Sequence, residues 1–308
     1  MASSSGRHIF SRTTRDDFEK QLRETEGQKE ATEFQTQVNE FLGTLLSDFN
    51  QRDVNGVNKA LDQVEQALAS EFEAVELRFG GSVAKHTYID GLSDVDALLL
   101  LPPQEVGGMS PQEVKALCEK KLASKFGREN VHAGNLAVTV KYGDHELQFL
   151  PAMRAGDGFK ICGEGGASWS KIHPREFAAA LTRANQESGN KLVPVIKLAK
   201  GIIAQFPDQR RMSGYHVEAL AVEAFKDYKG RQVYAEMLQH FFSEAAQRVL
   251  KASADVTGQS DYVDEYLGTA NSLSRRAVAD SCERIARKIQ NANGAQSVEM
   301  WKTLFEEL

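Results

Sequence analysis

The chain has 308 residues, 41% of them hydrophobic, a formal net charge of −6 and three cysteines. Such a length suits one large domain or two closely packed ones with a real core, and the acidic balance argues against a protein whose main task is to coat nucleic acid. Cys118, Cys162 and Cys282 form no CxxC or Cys/His cluster, no apolar run is long enough to span a membrane, and the opening residues lack the apolar stretch of a secretory signal, so zinc, disulfide-scaffold, membrane and secreted classes give way to a protein of a reducing cytoplasm.

Residues 1–12 read as a flexible tail. One long helix is predicted from about 14 to 50. Its second half repeats apolar residues at Phe34, Val38, Phe41, Leu42, Leu45 and Phe49, and its first half is strongly charged, with Phe18 and Leu22 as anchors. A second helix carries Val57, Ala60, Leu61, Val64, Ala67 and Leu68 on one face. Val75, Leu77 and Phe79 alternate with Glu76 and Arg78 as a strand does, and Gly80-Gly81-Ser82 ends it. Residues 94–101 form a second strand, closed by Pro102-Pro103. Ser110-Pro111-Gln112-Glu113 is a capping box with proline at the first helical position, and it starts a helix running to Phe126-Gly127. A hairpin is predicted over 134–150, turning at Gly143-Asp144. Residues 153–172 are glycine-rich and read as irregular. Helices then follow over 175–187, 190–206, 213–227, 230–252, 271–292 and 297–307. The expected fold is α/β of the α+β kind: a small mixed sheet with helices in residues 13–152 and a helical lobe over 153–308, with a soft boundary near 152–175.

The chemistry concentrates between Phe79 and Leu101. In an extended strand residues i and i+2 share a face, so Asp94 and Asp96 project together while Val95 points away. Two carboxylates side by side repel, and an oxygen-seeking divalent metal is the natural counter-charge. The Gly81-Ser82 turn upstream can present backbone N–H groups and a hydroxyl to a phosphate. Each feature alone is common on protein surfaces. Together, and in this order, phosphate and metal sites point to nucleotidyl transfer.

In this order the residues resemble the polymerase-β-like nucleotidyltransferases, whose signature is Gly-Ser, then Asp-x-Asp, then a carboxylate on a third strand. Within them the chain is most similar to the CD-NTases, the cGAS/DncV-like enzymes of bacterial anti-phage (CBASS) systems, over about residues 35–308. Pro194-Val-Ile-Lys197-Leu-Ala-Lys200 and Ser213-Gly-Tyr215-His216-Val-Glu218 resemble the family's lysine-bearing helix and its Ser-x-Tyr-His segment. Asp255-Val-Thr-Gly258 and Tyr266-Leu-Gly resemble its late loop and last helices.

The resemblance implies a polymerase-β-like core packed on a helical C-terminal lobe, with the site in the cleft between. It implies that Asp94 and Asp96 hold Mg²⁺, with Mn²⁺ as a substitute, and that Gly81 and Ser82 cradle the donor's phosphates. Lys197 would meet triphosphate oxygens, with Lys200 the weaker candidate one turn on. Tyr215 would stack on a base, and Ser213 would touch the nucleotide or cap its helix. His216 and Glu218 read as structural. The implied substrates are NTPs, ATP among them, and the implied product is a cyclic di- or trinucleotide that activates a separate effector. An operon-encoded regulatory protein is an expected partner. The acidic total weighs against a nucleic-acid activator.

One position departs from the family pattern. The third carboxylate is expected three residues before Pro151, where this chain has Gln148. Glutamine cannot act as a base, though its carbonyl can ligate a metal or hydrogen-bond the acceptor. Three readings stay open: two carboxylates working with Gln148, Glu146 substituting from two residues back, or a silent nucleotide sensor. An enzyme acting on a tRNA or protein acceptor is a further alternative.

Overall fold

The computed structural model describes residues 15–50, 54–70, 72, 75–79, 82, 85–89, 95–134, 136–143, 145–162, 168–253 and 263–306. The expectations for the tail at 1–12, for Gly81 and Asp94 and for the loop Asp255–Gly258 fall outside these residues.

Helix α1 (Arg15–Asp48) and α2 (Val54–Ala69) come first. The predicted stripe of α1 is buried at Phe34, Val38, Leu42 and Phe49, joined by Leu46, while Phe41 and Leu45 flank it half-buried. This stripe packs into a helical core made with α5 (Pro174–Glu187), α6 (Leu192–Ala204), α7 (Gly214–Phe225), α8 (Tyr234–Arg248), α9 (Leu273–Gly294) and α10 (Val298–Lys302). Residues 23–30 of α1 are all exposed, as their charged composition requires. No described helix is long and apolar enough to cross a membrane.

The sheet has seven described strands: β1 (Glu76–Phe79), β2 (Val95–Leu100), β3 (Val131–Ala133), β4 (Val138–Tyr142), β5 (His145–Ala155), β6 (Gly158–Cys162) and β7 (Trp169–Ile172). The order is β1-β2-β5-β4-β3, with β6 on β5 and β7 on β6. β2 runs parallel to β5 and antiparallel to β1. A short helix α3 (Pro103–Val106) and α4 (Pro111–Phe126) follow β2. The capping box forms: Ser110 Oγ accepts from Glu113 N at 3.3 Å, and Ser110 N donates to the Glu113 carboxylate at 2.7 Å.

The segment over 153–172 that reads as irregular is in fact the end of β5 followed by β6 and β7. Pro151 marks no strand end. β4 pairs with β5 only as far as Phe149, and β6 begins pairing at Ala152. The proline therefore sits between two partner strands on that side, where a missing N–H costs no ladder bond.

Alternation along β2 and β5 divides the sheet into two faces. Ala97, Leu99, Leu147 and Phe149 pack with Val64 and Leu68 of α2 and with Val114, Cys118 and Leu122 of α4. Leu98, Leu100 and Ala152 pack on the opposite face, with Phe159. Asp96 and Gln148 therefore belong to the face away from α2 and α4.

Candidate active site

The parallel register pairs Asp96 with Gln148, one residue beyond the pair Val95 and Leu147. Both side chains are half-buried and share a face, while Glu146, two residues earlier on that face, is exposed. Thr139 lies across from Gln148 on β4. A carboxylate beside an amide oxygen is an all-oxygen donor set of the kind hard divalent cations take. Mg²⁺ fits this chemistry at Asp96 and Gln148, and the sequence period would add Asp94.

Ser82 is 9% exposed, and its carbonyl accepts the Thr87 amide at 2.9 Å. Lys200, from α6, donates to the Thr87 carbonyl at 3.1 Å, to its hydroxyl at 3.2 Å and to Glu218 Oε1 at 2.7 Å. Glu218, from α7, also accepts from Lys85 and from the Thr87 hydroxyl. Burial pushes the Lys200 amine below the ordinary lysine range, opposed by Glu218, assisted by Lys85 and opposed again by Asp96. Burial pushes the Glu218 carboxyl up, but Lys85 and Lys200 outweigh it and hold it below the ordinary value. Lys197, the lysine that sequence reasoning preferred, instead donates to the Asn50 side chain and lies 4.3 Å from the Tyr88 ring centroid. Burial, then the charge of Lys200, lowers it to about 8.

Ser213 caps α7, its hydroxyl accepting from His216 N at 3.2 Å. Its own amide donates to the Tyr266 hydroxyl at 3.1 Å. That hydroxyl pairs with His216 Nδ1 at 2.8 Å. Having accepted from Ser213, the phenol is poised to donate its own proton to Nδ1, leaving the imidazole proton on Nε2, 3.7 Å from Asp264. Burial lowers His216 to about 4, so the ring is neutral near pH 7. Tyr215 packs against Phe177, ring centroids 4.8 Å apart.

A second group of ligand-type side chains, Asp157, His173 and Glu176, has donor atoms within 4.8 Å of one another. It lies at the β5–β6 turn and the start of α5, at the other end of β5 from Gln148. His173 Nδ1 faces the two carboxylates at 3.7 and 3.6 Å, and the Lys171 ammonium reaches Asp157 at 3.5 Å.

Sequence reasoning named neither Lys85 nor Thr87, placed Lys200 behind Lys197, and read Glu218 as structural. Lys85 carried a signal in its position three residues after Ser82. The partnership with Glu218, 133 residues away, carried none.

Residues 33–185 match the family described as the Second Messenger Oligonucleotide or Dinucleotide Synthetase (SMODS) domain. No curated protein matches the chain. Among solved structures, the CD-NTase CdnG of Bradyrhizobium diazoefficiens in complex with GTP aligns with a TM-score of 0.62 at 14% identity, covering 82% of this chain and 92% of that one. The 3′-deoxy GTP bound form of Escherichia coli DncV gives 0.62 at 12% identity, covering 94% and 89%. CdnC of E. coli MS115-1 with ATP gives 0.57 at 18% identity, covering 84% and 91%. At these identities the likeness is one of fold.

Proposed function

We propose that this chain, a nucleotidyltransferase that carries a SMODS domain over residues 33–185 on a CD-NTase fold, makes a cyclic di- or trinucleotide from NTPs by metal-dependent, template-independent transfer. The observation that carries the reading is the pairing of Asp96 with Gln148 on adjacent parallel strands, with the Asp96 charge acting on Lys200. Phosphoryl transfer asks for charge neutralisation and in-line positioning more than for covalent help. Asp96, with Asp94, would hold Mg²⁺ or Mn²⁺, which supplies charge neutralisation at the transferred group. Ser82 and Lys200 orient the donor's phosphates. Gln148 accepts a hydrogen bond from the attacking hydroxyl and aims it, and the proton leaves to solvent because no base stands at that position. ATP is the first substrate to test, given the ATP complex of the CdnC relative. The protein acts in the cytoplasm, in anti-phage defence, its product switching on a separate effector. The exposed charged half of α1 is the surface we assign to an operon-encoded regulatory partner.

Gln148 also favours a second reading, a nucleotide sensor that binds NTPs with Mg²⁺ and releases no pyrophosphate. One assay separates the two. The purified chain is incubated with four labelled NTPs and Mg²⁺ or Mn²⁺, treated with phosphatase and analysed by mass spectrometry. A phosphatase-resistant oligonucleotide mass is expected. Its absence, with NTP binding retained, would favour the sensor, and labelled tRNA or protein would favour a macromolecular acceptor.

The third position is tested by Gln148→Ala against Glu146→Ala. Gln148 adjoins Asp96 and Glu146 is exposed at the strand's start, so the Gln148 variant is expected to lose at least ~tenfold more turnover, ~1.4 kcal/mol in barrier. A larger loss in the Glu146 variant would move the role there.

A further inference from the structure

Glu218 has 1% of its side chain exposed, yet it does not close an ordinary ion pair. Lys85 arrives from the segment after Ser82, Lys200 from α6 and Thr87 from the same turn as Lys85, and all three meet on this one carboxylate. Both lysines are nearly as enclosed, at 10% and 9%. Two ammonium groups and one carboxylate leave a surplus positive charge. A buried bridge serving stability alone would pair one charge with one, since each unpaired buried ion costs several kcal/mol. Among the described residues, the charged groups that act on this cluster are Asp96, on the sheet, and Lys197, one turn along α6. Lys197 adds to the surplus. Asp96 is the residue we have placed at the metal, which leaves the pair of lysines to serve another anion. Aromatic walls fix the pair further: Lys85 Nζ lies 5.0 Å from the ring centroids of both Phe177 and Tyr215.

We infer that Glu218 is a positioning residue: it binds Lys85 and Lys200 into one preorganised cationic pair beside Ser82 and Asp96, and that pair takes the polyphosphate of the nucleotide. This inference rests on the nucleotidyl-transfer reading of the site. Glu218 touches no substrate. It fixes two flexible side chains in place on one carboxylate.

The test is calorimetric binding of ATP and of inorganic tripolyphosphate to the full chain, which needs no turnover. Glu218→Gln keeps the shape and removes the charge. Kd for ATP and for tripolyphosphate is expected to rise at least ~tenfold, while adenosine, which carries no phosphate, binds within about twofold of wild type. A purely structural role would weaken all three ligands alike. Should Glu218→Gln fail to fold, Glu218→Asp, which keeps the charge and shortens its reach to the lysines, is measured in its place. Equal weakening of all three ligands, or unchanged tripolyphosphate binding, overturns the role of Glu218. Wild-type protein that binds neither ATP nor tripolyphosphate overturns the nucleotide reading itself, and the inference with it.

Discussion

Asp96→Asn is expected to lower nucleotidyl transfer by at least ~1,000-fold, ~4 kcal/mol in barrier, while leaving the fold intact. The substitution keeps the size and shape of a side chain that is half-buried on β2, between β1 and β5, and whose neighbours Ala97 and Leu99 carry the packing on the other face. What it removes is charge. An amide is a weak ligand for a hard cation, and beside Gln148 it leaves two neutral oxygens where the metal needs an anion. Lys200 feels the loss as well. Asp96 is one of the charges that keep the buried amine protonated, so the Asn variant should bind ATP less tightly as pH rises. Pyrophosphate release, with circular dichroism to monitor folding, measures both effects. Turnover at the wild-type rate would remove Asp96 from the chemistry.

Local rules made much of this fold legible. The α1 stripe follows from a period of 3.6 residues, the start of α4 from its capping box, and the facing of Asp96 from strand alternation. The failures share a cause. Pro151 resembles a strand end because proline lacks a donor, but the pairing partners on that side change at this position, and only the tertiary arrangement reveals the gap. β6 and β7 were hidden for the same reason: short strands in a glycine-rich stretch are recruited by the long β5 and announce little by themselves. In the site, Asp96 and Gln148 were legible as motif positions, but their pairing side by side is given only by the parallel register. Lys85, Lys200 and Glu218 were not legible as a cluster, since their meaning lies in a contact among three segments far apart in sequence. Lys197 and Lys200 lie one turn apart on one helix, and helix rotation gives Lys197 to Asn50 and Lys200 to the cluster, a division the sequence does not display.

Arg275→Met is expected to destabilise the folded chain by ~3–5 kcal/mol, the cost of leaving a buried partner charge alone. Arg275 and Asp264 are both fully buried, joined by a two-pronged bridge at 2.6 and 3.0 Å. The guanidinium also donates to the carbonyls of Gly268, Val249, Lys251 and Asp264, so one side chain ties α9 to the end of α8 and to the segment carrying Tyr266. Burial pushes the Asp264 carboxyl up, but Arg275 and the Ser253 amide outweigh it and hold it below the ordinary range. Its contribution is therefore present above the unfolded carboxylate value, ~3.9, and lost only as pH falls through the lower folded one. His216 has the opposite dependence. Its folded value is about 4, below the unfolded ~6.5, so the unfolded chain binds more protons between them and wild-type stability falls as pH drops through that window. Removing Arg275 removes a charge that helps keep His216 neutral and leaves Asp264 facing Nε2, which has no hydrogen-bond partner. The imidazole can then take up a proton and pair with the carboxylate. The stability gap between wild type and Arg275→Met should thus narrow as pH is lowered from about 7 to about 5.5, read from urea midpoints. A gap that stays constant would show that His216 does not respond to Asp264. The double variant Asp264→Asn with Arg275→Met should recover part of the loss, because it leaves no buried charge unpaired.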